Sequence, residues 1–123
     1  MLRATGFTAT MIDNDPAGLS QGDEIIVEGR LIGRGGRPKG RIEVREVLTG
    51  LSHSGGGRLQ LLFTALLARG QITGSAVLGI SQAGPSNTKA AILGGTGHYR
   101  NVRGEVYIHP DQQSSLLTFY LLP

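Results

Sequence analysis

The feature that most constrains this fold is the way turn-forming residues divide the chain into short segments rich in aliphatic and β-branched side chains. Glycine, proline, asparagine or serine ends each segment. Segments at this spacing are typical of a closed antiparallel meander, since closure removes the exposed edges of a sheet. The sequence therefore predicts an all-β, eight-stranded antiparallel β-barrel, with strands at 5–13, 23–32, 40–48, 58–68, 71–80, 88–93, 98–109 and 115–122.

One of these segments has a composition that also suits a helix. Residues 59–68 read LQLLFTALLA, but they lack the N-cap residue and the polar stripe of an amphipathic helix. Three glycines precede this segment, and Gly70 follows it. Because its neighbours also fit strands, we interpret it as a strand that is buried on both faces.

Length and composition place the chain among single globular domains. Its 123 residues can bury a core, and its 39% of hydrophobic residues exclude disorder by composition. It has no cysteine, which excludes disulfides and thiolate sites. The N-terminal residues lack the apolar run of a signal peptide, and no stretch approaches the ~18 apolar residues of a membrane span. We therefore expect a cytoplasmic protein with no membrane contact.

Basic residues are concentrated in one part of the sequence. Of the 12 arginines and lysines, six lie between Arg30 and Arg45, and the formal net charge is +3. Such a patch can attract nucleic acid, but small barrels that bind single strands also need aromatic side chains for base stacking. None of the three phenylalanines and three tyrosines lies between Phe7 and Phe63. We therefore expect a solvated segment and no nucleic-acid partner.

Two glycine motifs match catalytic signatures, but a strand is predicted where each signature requires a helix. Residues 18–22 fit the GxSxG pattern of serine hydrolases, which requires a strand-to-helix turn, yet a predicted strand follows. Residues 90–97, AAILGGTG, are similar to a phosphate-binding loop, which requires a helix N-terminus, and again a strand follows. His53, His98 and His109 have no partner at i+4 and no acidic cluster nearby, so we expect no metal site.

Alternation sorts the side chains of two predicted strands into opposite faces, without showing which face points inward. In the third strand, one face carries Arg41, Glu43 and Arg45, and the other carries Ile42, Val44, Glu46 and Leu48. In the seventh strand, one face carries Tyr99, Asn101, Arg103, Glu105 and Tyr107, and the other carries His98, Arg100, Val102, Val106 and Ile108.

The segment from Gly94 to Gly104, GGTGHYRNVRG, resembles a motif of the dirigent proteins, in which a GGTG turn precedes an aromatic residue and then an Arg-Gly pair. Residues 62–64, together with Gly74 and Ser75, are similar to the dirigent fourth and fifth strands. Residues 117–121, LTFYL, resemble the last strand of plant allene oxide cyclases. The resemblance implies an eight-stranded barrel with a ligand pocket inside it, and a homo-oligomer, either a dimer or a trimer.

The same resemblance implies candidate catalytic residues. Arg103 matches the arginine of the dirigent Arg-Gly pair, which faces the pocket, and its face also carries Tyr99 and Glu105. Both families place a carboxylate on the first strand, where Asp13 is the nearest acid. The pocket cysteine of the plant cyclases falls near Ile42, so the plant reaction itself is not implied.

Candidate substrate-binding residues come from the same faces. Asn101 and Tyr107 share the face of Arg103, and the apolar wall is expected to come from the fourth, fifth and eighth strands, with Phe63 and Tyr120.

The resemblance implies a cofactor-independent cyclase or isomerase that holds a reactive, largely apolar intermediate, such as a polyketide, in one conformation. In this hypothesis Arg103 stabilises developing negative charge, Tyr99 or Tyr107 donates a hydrogen bond, and Glu105 or Asp13 moves a proton. One alternative is a non-catalytic barrel that only steers the stereochemistry of a bound molecule. Another is that Arg103 and Glu105 face solvent as a surface pair.

Overall fold

The computed structural model describes residues 1–52, 56–81, 84–111 and 113–122, so His53 lies outside the described residues. The strands in these ranges are β1 (Leu2–Ile12), β2 (Glu24–Ile32), β3 (Pro38–Leu51), β4 (Gly57–Leu67), β5 (Gly70–Ser81), β6 (Gly84–Pro85), β7 (Thr88–Gly95), β8 (Gly104–Pro110) and β9 (Ser115–Leu121). Two short 3-10 helices, Arg34–Gly36 and Gly97–Tyr99, lie between strands. The described residues contain no helix with the length and apolar character needed to cross a membrane.

Eight of these strands form a closed antiparallel ring. The order is β1, β2, β3, β4, β5, β7, β8 and β9, and the ring closes where Leu2 of β1 pairs with Leu117 of β9. The two-residue strand β6 pairs with the end of β5. The predicted eight-stranded barrel is confirmed. The helical alternative for residues 59–68 is excluded over 59–67, because these residues lie in β4 and pair with both β3 and β5.

The segment before β8 departs from the predicted strand at 98–109. A 3-10 helix occupies Gly97–Tyr99, and the strand begins only at Gly104. The backbone N–H of His98 donates to the carbonyl oxygen of Arg69 at 2.8 Å, which ties this segment to the turn between β4 and β5. A Cβ at Gly97, where φ is 60°, would lie 2.5 Å from the same oxygen, so only glycine fits this turn. The strand prediction is therefore wrong over residues 98–103.

The barrel interior is packed in one half and open in the other. Leu31, Ala65 and Val106 are fully buried and fill the half near the connections 33–37, 68–69 and 96–103. We call the end of the barrel formed by these three connections the closed end. The opposite end, where β1, β3, β5 and β8 finish, is called the mouth, and the interior beneath it is called the lumen.

Candidate ligand-binding lumen

The lumen is a cavity of about 450 Å³. This volume falls within the roughly 300–1,000 Å³ range of small-molecule pockets. All eight strands of the ring contribute inward-facing residues to its walls, and most of these side chains are aliphatic or aromatic. The lining consists of Ala4, Phe7, Ala9, Ile25, Val27, Ile42, Val44, Glu46, Leu59, Leu61, Phe63, Leu78, Ile80, Pro85, Ser86, Thr88, Ile108, Pro110, Ser115 and Leu117.

A bulge in β1 determines which of its side chains reach the lumen. The register of β1 against β2 shifts between Thr5 and Thr8, and Gly6 within the bulge has a φ of 64°. Simple alternation from the inward-facing Ala4 would direct Phe7 outward. The additional residue reverses the phase, so that Phe7 lines the lumen.

Two glycines make room for the phenylalanine rings of the lumen. A Cβ at Gly29 of β2 would lie 2.7 Å from Cδ1 of Phe7, and a Cβ at Gly74 of β5 would lie 2.6 Å from Cε1 of Phe63. Each ring therefore lies directly against the backbone of a neighbouring strand. This arrangement keeps both rings close to the barrel wall and leaves more of the lumen open to a ligand.

Replacing Gly74 by alanine is expected to destabilise the fold by about 1–3 kcal/mol, because the methyl group would overlap the Phe63 ring. It would also approach the carbonyl oxygen of Ala91 to 2.8 Å. Gly79→Ala is a matched control on the same strand, since its nearest heavy atom would be 3.9 Å away. Urea denaturation of both variants measures the effect. Equal stabilities would contradict the close packing of Phe63 on Gly74.

Glu46 introduces a carboxyl group into this apolar surface. It lies on β3 between its cross-strand partners Ile25 and Leu61, which also line the lumen. Its side chain has no hydrogen-bond or ion-pair partner among the residues that the structure describes. Burial raises the pKa of the Glu46 carboxyl above its usual range. Such a carboxyl keeps its proton to a higher pH than an exposed one and can exchange it closer to neutrality.

The raised pKa of Glu46 predicts a stability difference that depends on pH. The folded state binds this proton more tightly than the unfolded state, so its contribution is present at low pH and is lost as pH rises through the folded-state pKa. Glutamine does not ionise. We therefore expect the difference in Tm, Glu46→Gln minus wild type, to become more positive as the pH rises from about 4 to about 8. Thermal melts of both proteins across this pH range measure the difference in Tm. Glu43→Gln, which removes an exposed carboxyl, is the control. A difference in Tm between Glu46→Gln and the wild type that does not change with pH would contradict the prediction.

Hydroxyl groups supply the other polar side chains of the lumen. Thr88 begins β7 and Ser115 begins β9, so both lie on the mouth side of the cavity. Ser86 precedes them on the same side, and its Oγ donates to the carbonyl oxygen of Gly79 at 3.2 Å. Thr88 and Ser115 can therefore offer hydrogen bonds to a ligand that enters from the mouth.

The loop between β1 and β2 is held at the mouth by Asp23. This residue is 4% exposed, and its carboxylate accepts the backbone N–H groups of Asn14 and Ser20, each at 3.0 Å. Asp13, a predicted proton carrier, is exposed in the same loop and accepts the Gly18 N–H at 3.0 Å. Because the lumen lining includes no residue of this loop, the placement of Asp13 in the pocket is wrong.

The predicted inward face of β8 is also wrong. Val106 is fully buried and Ile108 lines the lumen, so the alternate positions, Glu105 and Tyr107, point outward. Tyr107 instead contacts Tyr120 on the outer surface, with ring centroids 5.2 Å apart. The predicted wall residue Tyr120 is 55% exposed and therefore lies outside the lumen as well.

The remaining predicted residues lie in the connection between β7 and β8. Arg103 and Asn101 are exposed there, and Tyr99 is half-buried in the 3-10 helix. None of the three lines the lumen, because the segment turns at the closed end instead of continuing as a strand. The alternative that Arg103 and Glu105 face solvent is correct in orientation, although no ion pair joins them in the described part of the chain.

Two residues of the lumen show what sequence reasoning found and what it missed. Phe63 lines the lumen as predicted, and its contact with a substrate stays a prediction. Glu46 was missed, although its alternation with Ile42, Val44 and Leu48 is a usable signal. A lone acid on an otherwise apolar face is costly unless it has a function or a partner.

Ring closure and the apolar lumen define a class of protein, the small antiparallel barrel with a ligand-sized interior. Within that class, the fold is similar to pyocyanin demethylase, with 23% sequence identity, a TM-score of 0.73, and coverage of 96% of this chain and 98% of that one. It is also similar to AbnU, an exo-specific intermolecular Diels-Alderase, with 17% identity, a TM-score of 0.60, and coverage of 96% and 95%.

A third solved structure is a nonspecific heme-binding cyclase that catalyses a cycloaddition during neoabyssomicin biosynthesis. The identity is 16% and the TM-score is 0.67, and the match covers 94% of this chain but 59% of that one. At these identities the likeness shows the fold alone. No protein-family profile and no curated protein sequence matches the chain. The narrower resemblance to dirigent proteins and allene oxide cyclases, and the oligomeric state, stay predictions.

Proposed function

We propose that this barrel is a cofactor-independent cyclase or isomerase that acts on a reactive, largely apolar natural-product intermediate in its lumen. The proposal rests on a single carboxyl group, that of Glu46, which lies in a mostly apolar, ligand-sized cavity where burial raises its pKa. Two proteins of similar fold, a cyclase and a Diels-Alderase, are named for ring-forming reactions, which supports the proposal.

The first contribution of the lumen is to restrict the conformation of the substrate. In a cycloaddition, a conjugated diene and an alkene exchange two π bonds for two σ bonds, and no group leaves. Such a reaction needs neither an oxidant nor a carrier, and an apolar cavity that brings the reacting carbons together accelerates it by removing orientational freedom. Phe7 and Phe63 supply aromatic surface for contact with a conjugated substrate.

The second contribution is the proton of Glu46. When protonated, this carboxyl can donate a hydrogen bond to a carbonyl oxygen conjugated with the alkene, which draws electron density from the reacting double bond. In an isomerisation, the ionised carboxylate can take a proton from the carbon next to a carbonyl and return it to another carbon of the conjugated system. Both roles need a carboxyl whose pKa lies nearer to neutrality than that of an exposed glutamate.

A non-catalytic barrel that steers the geometry of a bound molecule is the second candidate. Most residues that line the lumen are apolar, which favours this candidate because apolar side chains can hold a substrate but cannot transfer a proton. In this case the protein would change the ratio of stereoisomers formed without changing how fast the substrate disappears.

The experiment that separates these candidates uses a neutral linear molecule carrying a conjugated diene and an α,β-unsaturated ketone. Its cyclisation is followed by chromatography with and without the protein. An enzyme raises the rate of product formation, whereas a steering protein changes only the isomer ratio. If both rate and ratio are unchanged, and the neutral dye Nile red does not bind to the protein, the lumen is not a ligand site and the proposal is wrong.

A further inference from the structure

Six cationic side chains are gathered at the closed end of the barrel. Three connections supply five of them, Lys39 at the start of β3 supplies the sixth, and all six residues are exposed. The connections 96–103 and 68–69 are neighbours in space, since the His98 N–H donates to the carbonyl oxygen of Arg69. The connection 33–37 leads into β3, where Gly40 pairs with Leu67 at the end of β4, so it adjoins 68–69. The six residues, which we call the basic cluster, are Arg34, Arg37, Lys39, Arg69, Arg100 and Arg103.

The described residues provide no counterion for the basic cluster. None of its members forms an ion pair with a described residue, and the residues outside the described ranges include no aspartate or glutamate. Two other arginines of the same sequence segment behave differently, because Arg41 pairs with Glu28 and Arg45 pairs with Glu24.

Acidic residues are concentrated at the other end of the barrel. The mouth carries Asp13, Asp15, Asp23, Glu24 and Asp111. Among the described acidic side chains, Glu105 at the start of β8 is the one nearest to the closed end along the strands, and it too forms no ion pair with the basic cluster. The chain therefore separates its charge along the barrel axis.

Exposed leucines lie beside the basic cluster. Leu93 and Leu122 are 63% and 59% exposed, respectively. The backbone N–H of Leu122 donates to the carbonyl oxygen of Arg103, and β7 pairs with β8 where Ile92 meets Gly104, so Leu93 lies close to the same arginine. Leucines among unpaired arginines fit the interface of an anionic bilayer, where aliphatic groups enter the headgroup region and cations approach phosphates.

We infer that the closed end of the barrel is a docking surface for an anionic lipid bilayer, in contrast to the expectation from the sequence of no membrane contact. A single-stranded nucleic acid fits this surface less well, because stacking requires free aromatic faces. The aromatic rings of the connection, His98 and Tyr99, contact each other edge to face, with centroids 5.3 Å apart. Docking by the closed end leaves the mouth pointing away from the bilayer, so the lumen stays open to its substrate.

Co-sedimentation of the full chain with vesicles tests this inference. We expect binding to phosphatidylcholine vesicles that contain about one third phosphatidylglycerol, and little binding to vesicles of phosphatidylcholine alone. Arg34→Gln combined with Arg37→Gln should lower the partition coefficient about thirtyfold, since each basic residue near the surface contributes roughly fivefold. Both side chains are exposed, so the fold should be kept, and a thermal melt verifies this.

Matched variants distinguish a docking surface from a general effect of charge. Arg58→Gln combined with Lys89→Gln removes the same charge away from the closed end and should change partitioning by less than about threefold. Leu93→Ser combined with Leu122→Ser keeps the charge and should weaken binding to the anionic vesicles. Equal losses for the two charge variants, equal binding to neutral vesicles, or binding to a polynucleotide but not to vesicles would overturn the inference.

Discussion

Glu46→Gln is expected to reduce the turnover of the proposed reaction by about 10²–10⁴-fold while leaving substrate binding within a few-fold of the wild type. Glutamine keeps the size of the side chain and its contacts with Ile25 and Leu61, but it has no proton to give or take near neutral pH. A loss of kcat at a nearly constant KM is the signature of an interaction made mainly in the transition state.

The control for this prediction is Glu43→Gln, which removes a carboxyl from the same strand on the opposite, exposed face. Its turnover should match that of the wild type. Two results would count against Glu46 as the proton-transferring group: full turnover by Glu46→Gln, or an equal loss in both variants. If Glu46→Gln instead raises KM at unchanged kcat, the carboxyl serves binding and not the chemical step.

Leu31→Ala is expected to destabilise the protein by about 2–5 kcal/mol, which is a large part of the ~5–15 kcal/mol that holds a typical domain together. Leu31 is 0% exposed and fills the closed half of the barrel, where the residues around it belong to paired strands that cannot collapse into a cavity. Urea denaturation followed by circular dichroism gives the free energy of unfolding.

Leu62→Ala provides the comparison for Leu31, because it removes the same atoms from a side chain that is 46% exposed on the outer face of β4. Its cost should stay below about 1 kcal/mol. If the two variants are equally stable, the half of the barrel near the closed end is not packed as described above.

The barrel itself was predictable because its signals are local and repeated. Turn residues between apolar segments located the strands, including the glycine-bounded run that forms β4 and pairs with β3 and β5. The expectation that this strand is buried on both faces was wrong, because its buried residues alternate with exposed ones such as Leu62. Closure followed from the strand count. These features depend on the period of two and on turn chemistry, which act over a few residues.

The interior face of β8 was not predictable in the same way. A period of two sorts side chains into two sets, and only tertiary packing decides which set faces inward. The resemblance to dirigent proteins selected the set of Arg103. In the structure, glycine at position 97 turns the chain before the strand begins, and Val106 enters the core.

The sequence analysis did not place Phe7 and Glu46 in the lumen, and the reason differs for each residue. Phe7 reaches the lumen only because a bulge at Gly6 reverses the alternation of β1, and a single residue of register is beyond what a pattern of hydrophobicity specifies. Glu46, by contrast, stood on the apolar face in the sequence, where its cost without a partner was a signal of function.

If the ligand binds in the lumen beside Glu46, a side chain that fills this space must prevent binding. Ile25→Trp adds bulk opposite Glu46, whereas Ile26→Trp places the same side chain on the outer face of β2. The measurement is the fluorescence of Nile red titrated with each variant, with a thermal melt to verify folding. We expect Ile25→Trp to weaken Nile red binding tenfold or more and Ile26→Trp to bind as the wild type does. Unchanged binding by a folded Ile25→Trp would contradict binding of the ligand in the lumen.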